Sequence, residues 1–143
     1  MKGVVLDASV AAKWVLPSAL EPHSGNALRI LDDYTRKKLE IVVPDLFWAE
    51  LGNLLWKAVR TGRLNIADAA AGLRKVTVNP FVTISTFSLL DSALAIANES
   101  GRSFYDCLYV ALADSSSIDF VTADEKLVNA LGPRYPVRWL ALI

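Results

Sequence analysis

The chain has 143 residues, 53% of them apolar and 21% charged, with 15 Lys and Arg against 15 Asp and Glu. That profile fits one globular domain over residues 1–143 and excludes both a disordered chain and a protein that grips nucleic acid by net charge alone. A single cysteine (Cys107) excludes an internal disulfide, a single histidine (His23) excludes His-rich zinc sites and paired-histidine catalysis, and the apolar start, broken by Asp7, is neither a signal peptide nor a membrane span. The expectation is a soluble, cytoplasmic protein with no membrane segment. Gly3–Leu6 is short, β-branched and continuous, like a buried parallel strand, and it ends at Asp7. Ala8–Leu16 reads as a helix stopped by Pro17, and a second helix is predicted over about Pro22–Lys38, with Ala27, Leu28, Leu31 and Tyr34 at helical spacing. Strand Ile41–Val43 closes at Pro44. Asp45 is the expected N-cap of a helix reaching Arg60, whose apolar stripe is Phe47, Leu51, Leu54, Leu55 and Ala58.

Asn65 caps a further helix over Ile66–Val76. Val82–Ile84 is a third strand, Thr86–Asn98 a helix ending at Gly101, and Ser103 the cap of a helix over Phe104–Ser115. Strand Phe120–Thr122, helix Asp124–Leu131 and strand Val137–Trp139 complete the order. Strands separated by helices predict an α/β fold, with a central, mostly parallel sheet of about five strands flanked by helices on both faces. In such sheets the functional crevice lies outside the carboxyl ends of the strands.

That rule gives four acids their interest. Asp7 follows the first strand directly, and Asp124 lies two residues past Thr122. Asp106 is in the first turn of its helix. Glu50 borders a buried stripe, with Asn53 and Lys57 on the same flank. Each acid taken alone equally fits ordinary helix chemistry: Ser103 and Asp106 as a capping box, Asp7 and Asp124 at helix starts, Glu50 in an exposed ion pair.

The order of motifs around these acids resembles the PIN-domain nucleases. VVLDAS is similar to the family's opening motif. PDLFWAELGNLLWK resembles the second, with Glu50 and Asn53 as E-x-x-N. SFYDCLYVALA resembles the third, and FVTADEKL the fourth, T-x-D-x-x-L. The similarity spans essentially the whole chain. By size and the lack of appended domains it is greatest to the toxin subunits of VapBC toxin–antitoxin pairs. The resemblance implies a PIN-like fold, endonucleolytic cleavage of RNA leaving a 5′-phosphate, and an acidic quartet at Asp7, Glu50, Asp106 and Asp124. It also implies Asn53 as the helical Asn, Thr122 as the hydroxyl residue before the last acid, and a cognate antitoxin.

Carboxylates gathered this way need neutralising, since two unit charges ~4 Å apart repel by about 4 kcal/mol at an effective dielectric near 20. Oxygen ligands without His or Cys favour Mg²⁺ or Mn²⁺. The expected metal ligands are Asp7, Asp106 and Asp124, with Glu50 orienting or deprotonating the attacking water; Ser9, Asn53 and Thr122 would support them or contact phosphate. Glu125 is read as helix-start chemistry. Lys13, Lys57, Arg60, Arg63, Arg74 and Lys75 are candidate contacts to an RNA backbone, with solvated helix faces as the plainer reading. Trp14, Trp48 and Trp56 are read as packing residues. Trp48 and Trp56 lie off their helix's main stripe, which suggests a homodimer or antitoxin surface. Two other function classes compete: a housekeeping PIN nuclease, or an idle PIN module used for binding. A phosphotransfer domain fits poorly, because Ser9 stands where a dehalogenase-type phosphatase needs a second Asp and Ser85 where a receiver domain needs its phosphoacceptor.

Overall fold

Gly3–Leu6 has no polar side chain to turn toward water, and it becomes the middle strand of a sheet covered on both faces. In this computed structural model, which describes residues 2–143, five strands run parallel: β1 (Lys2–Leu6), β2 (Leu39–Pro44), β3 (Val82–Ile84), β4 (Asp119–Thr122) and β5 (Val137–Trp139). Their spatial order is β3-β2-β1-β4-β5. Val4 pairs with Ile41 on one side, and Val5 with Phe120 on the other. The chain therefore steps outward from β1 to β3 and then returns to the far side of β1. The direction of winding reverses between β1 and β4, the position where doubly wound sheets open a crevice at their carboxyl edge.

Among the described residues seven α-helices connect and cover the strands: α1 (Ala8–Val15), α2 (Ser24–Thr35), α3 (Leu46–Arg60), α4 (Ile66–Thr77), α5 (Leu90–Ser100), α6 (Phe104–Ser116) and α7 (Glu125–Leu131). Helix α6 lies against β1, β2 and β4, with α5 packed on it. Its run Cys107–Ala113 is buried throughout, as expected of a helix that is apolar all round. Tyr109 of α6 stacks on Phe120 of β4, with ring centroids 5.1 Å apart. Burying a side chain of that size stabilises the fold by roughly 1.5–3 kcal/mol. Helix α1 packs against α2, α3 and α4, and its Ala8, Ala11 and Ala12 permit close approach. Gly72 of α4 completes that contact, because a Cβ there would collide with Val15. Among the described residues no helix is long and apolar enough to cross a membrane.

Several elements differ from the sequence-based expectation. The second helix is shorter than Pro22–Lys38: His23 sits before it at φ 60° and Lys37 just after it at φ 60°, both outside helical geometry. That helix buries Ala27 and Ile30, while Leu28 faces solvent. Thr86–Leu89 forms a 3-10 turn before α5. The Ser85 hydroxyl accepts from the Phe87 amide and tightens this entry. Asp45 makes no side-chain cap on α3. Its carboxylate instead accepts from the Thr86 amide at 3.2 Å, while its own amide donates to the Ile84 carbonyl at 2.8 Å, which ties β2 to the end of β3. Trp48 is consumed by its own chain, stacked on Phe81 with centroids 5.6 Å apart, and Trp14 donates its indole N–H to the Ala27 carbonyl. Of Trp14, Trp48 and Trp56, the last alone is exposed, at 52%, with the Arg60 guanidinium over its ring.

Candidate active site

The site begins where β1 stops. Asp7 is the N-cap of α1: its Oδ1 accepts from the Ser9 amide at 3.3 Å. Its Oδ2 accepts from the Thr122 hydroxyl at 2.7 Å, and its own amide donates to the Val121 carbonyl at 3.0 Å. Thr122 is fully buried at the end of β4. Its Oγ1 also accepts from the Asp124 amide at 3.1 Å, so one hydroxyl links two of the acids. Ser9 adds a third stitch, accepting from the Ala123 amide at 3.4 Å. Adjacent parallel strands end together here, which forces their following residues to share one small space. Burial pushes the Asp7 carboxyl up to about 6, against the lowering effect of Thr122 and Ser9; the charges of Glu50 and Asp106 push the same way as burial.

Glu50 enters from α3 and meets Tyr109 from α6, whose hydroxyl donates to Oε1 at 2.6 Å. Burial raises the Glu50 carboxyl, the Tyr109 hydrogen bond lowers it, and the Asp106 charge raises it. The phenol is itself pushed strongly upward by burial and by the charges of Asp7 and Glu50, so it remains a donor. Tyr109 lies three residues after Asp106, within the buried run of its helix. Sequence reasoning gave it no role. The signal was present in that spacing, but it looked like core. Asn53 lies one turn beyond Glu50, and the two line a shallow groove of about 340 Å³ with Leu46, Ala49 and Tyr105.

Asp106 and Asp124 form the other half. The Ser103 hydroxyl accepts from the Asp106 amide at 3.1 Å, so the helix cap holds the backbone of a site residue. Asp124 caps α7 with Oδ1, which accepts from the Lys126 and Leu127 amides at 3.0 and 3.3 Å. Its Oδ2 is left free to face Arg102, whose Nη2 stands 3.4 Å away and 3.7 Å from Asp106 Oδ2. Burial raises the Asp106 carboxyl, Ser103 and Arg102 lower it, and Asp124 raises it. Arg102 was also missed, although an Arg four residues before a candidate acid is a visible i, i+4 pair. Glu125 is exposed in the first turn of α7.

The structure therefore brings Asp7, Glu50, Asp106 and Asp124 to one edge, with Ser9 and Thr122 beneath them and Asn53 at the rim. Two basic candidates fall elsewhere. Lys13 is buried and paired with Glu21 at 3.2 Å, and Arg63 pairs with the other oxygen of Glu21. Both are spent on holding the segment before α2 against α1 and the α3–α4 turn. Lys57, Arg60, Arg74 and Lys75 remain exposed.

Among the described residues no group of three or more His, Cys, Asp or Glu side chains is drawn together tightly enough to cage a metal ion. Each carboxylate leans on a protein partner instead. The donor set still fits a hard, hydrated cation. It consists of carboxylate oxygens alone, three of them raised by burial and mutual charge, and Mg²⁺ asks for only one or two carboxylates while keeping its waters.

Comparison with known proteins matches the sequence pattern of the PIN domain over residues 4–130. The chain belongs to the PIN-domain family. Within it, the chain is 34% identical over 102 residues to "Exonuclease VapC9" of Pyrobaculum aerophilum, covering 68% of this chain and 71% of that one. It is 32% identical over 129 residues to "Ribonuclease VapC3" of the same organism, covering 88% and 92%. Among solved PIN-like structures, PAE2754 from Pyrobaculum aerophilum superposes with a TM-score of 0.73 at 25% identity, covering 99% of this chain and 91% of that one. VapBC2 from Rickettsia felis, bound to a DNA fragment from its promoter, matches with a TM-score of 0.61 at 13% identity, over 96% and 98%, a likeness of fold. The PIN domain is thus of the VapC type, and its five-stranded parallel sheet is the architecture read from the sequence.

Proposed function

We propose that this PIN domain is a divalent-cation-dependent endoribonuclease and the toxin of a VapBC-type toxin–antitoxin pair. The observation that carries the proposal is the meeting of Asp7, Glu50, Asp106 and Asp124 at the sheet's switch point, with the carboxyls of Asp7, Glu50 and Asp106 raised by burial and by neighbouring acids. A structural ion-pair network would pair such acids with bases; Asp7 and Glu50 meet only hydroxyls and a backbone amide. The names of the two relatives, an exonuclease and a ribonuclease, support phosphodiester chemistry.

Asp7, Asp106 and Asp124 would hold Mg²⁺ or Mn²⁺, which when bound would neutralise phosphate charge and activate water for attack. Thr122 and Ser9 fix the Asp7 oxygens. Tyr109 turns the Glu50 carboxylate, leaving Oε2 to orient the attacking water and take its proton. Raised carboxyls suit this role, because a base works best when its pKa nears the working pH. Asn53, one turn along α3, is placed to contact the substrate backbone, and the exposed Lys57 extends that face.

A cognate antitoxin and a second copy of the chain belong to the same reading, and the exposed Trp56 is the apolar surface offered to them. VapBC2 supports the antitoxin, being a toxin–antitoxin relative in fold. The test is to incubate labelled linear and circular RNA with the protein in Mn²⁺ or in EDTA, beside Asp7→Asn and Asp106→Asn. Cleavage of both forms, lost with EDTA and with either substitution, is expected. Cleavage that survives EDTA overturns the metal reading, and cleavage of linear RNA alone favours an exonuclease, the activity named for VapC9. Expression of the chain alone should arrest growth, and Asp7→Asn should relieve the arrest.

A further inference from the structure

The two halves of the site are neutralised differently, and Arg102 is the reason. It occupies the short turn between α5 and α6, after Gly101 at φ 73° and before the helix cap Ser103. Its amide donates to the Ser100 hydroxyl at 3.2 Å, which fixes the backbone at the wall of the site. A single nitrogen, Nη2, then lies between Asp106 Oδ2 and Asp124 Oδ2, acids carried by different elements. That is the place a bridging cation would take.

The rest of the side chain gains little there. It is 28% exposed, and its Nε is buried with no hydrogen-bond partner. An unpaired buried donor is unfavourable. The two carboxylates therefore hold this rotamer, and it loses its support once their charge is taken up elsewhere.

We infer that Arg102 is a resident counter-cation of the site, one that competes with a divalent ion for Asp106 and Asp124 and swings toward solvent when the ion binds. The inference rests on the reading of this edge as a divalent-cation site. A divalent ion on this pair of oxygens would stand against the Nη2 charge, so the ion-bound and arginine-bound arrangements compete. The observed affinity for the ion is lowered by the population in which Arg102 is docked. The docked arginine keeps the acids compensated, and the domain folded, when no ion is present.

Calorimetric titration of the full chain with Mn²⁺ tests this. Arg102→Gln and Arg102→Met should bind Mn²⁺ about fivefold tighter than the wild type, the scale of one partly exposed charge at this range. Their melting temperature should start lower in EDTA and rise further on adding Mn²⁺. Arg102→Lys should fall between, and Arg36→Gln, on the remote end of α2, should not differ from wild type. Should the neutral variants fail to fold, the wild type still reports: its Arg102 side-chain ¹⁵N signals should shift and lose protection on titration with Mg²⁺. Equal or weaker Mn²⁺ binding by the variants, or unmoved Arg102 signals, overturns the inference. Absence of Mn²⁺ binding by every form, wild type included, overturns the metal reading and this inference with it.

Discussion

Asp7 and Glu50 are held by neutral hydroxyls, Thr122 and Tyr109. Asp106 and Asp124 share a guanidinium. The first half has no positive partner, so nothing cationic opposes the burial that pushes both carboxyls toward their protonated form. In the second half burial raises Asp106 as well, but Arg102 works against it. The contrast separates two tasks. The first pair stores unfavourable electrostatics that a bound ion would relieve, while the second pair trades one cation for another.

The comparison breaks most visibly at Asp7. Asp7→Asn should lower cleavage at least about a hundredfold, yet in EDTA at neutral pH it should make the fold more stable, by about 1–2 kcal/mol in urea titrations. The sign follows from the direction of the shift. The folded value of about 6 lies above the ordinary 3.8, so the native chain holds this proton more tightly than the unfolded one. Its contribution to stability is full below pH 3.8 and is lost as pH rises through about 6. Urea midpoints of the metal-free protein should decline across that window, and in Asp7→Asn the decline should flatten.

Thr122→Val keeps the shape but strands two groups, the Asp7 oxygen and the Asp124 amide. A loss of about 1–3 kcal/mol is expected, measured by thermal unfolding, together with weaker Mn²⁺ binding. Tyr109→Phe removes one hydrogen bond from Glu50 and keeps the stack on Phe120. It should cost about 1 kcal/mol and reduce the cleavage rate several-fold, with little change in substrate affinity. Asp124→Asn should matter least to stability, within about 0.5 kcal/mol, since an Asn oxygen still caps α7; a small change in melting temperature with weakened Mn²⁺ binding would sharpen the division between halves. Equal stability effects at Asp7 and Asp124 would dissolve it.

The strands were legible because each is an apolar, β-branched block between turn residues, and alternation with helices left few topologies. The four acids were legible through their place at strand ends and helix starts. Partners contributed by other elements were not. Lys13 looks like a surface base until Glu21, eight residues on, folds back over it. Asp45 looks like a cap until the β3 exit claims its carboxylate. Tyr109 reads as core because its partner Glu50 is 59 residues away, and Arg102 shows only its local pairing with Asp106, because Asp124 reaches it from 22 residues on.

The Thr122–Asp7 hydrogen bond spans 115 residues. A chain emerging from the ribosome carries Asp7 out 115 residues ahead of Thr122, and parallel pairing of β1 with β4 must wait for the latter. The site is therefore absent until Thr122 has emerged, and a product that ends between Asp106 and Thr122 has three of the acids and no floor beneath them. Any shortened product that lacks Thr122 also lacks the hydroxyl that joins Asp7 to the Asp124 amide, so the fourth acid and its anchor are gained together.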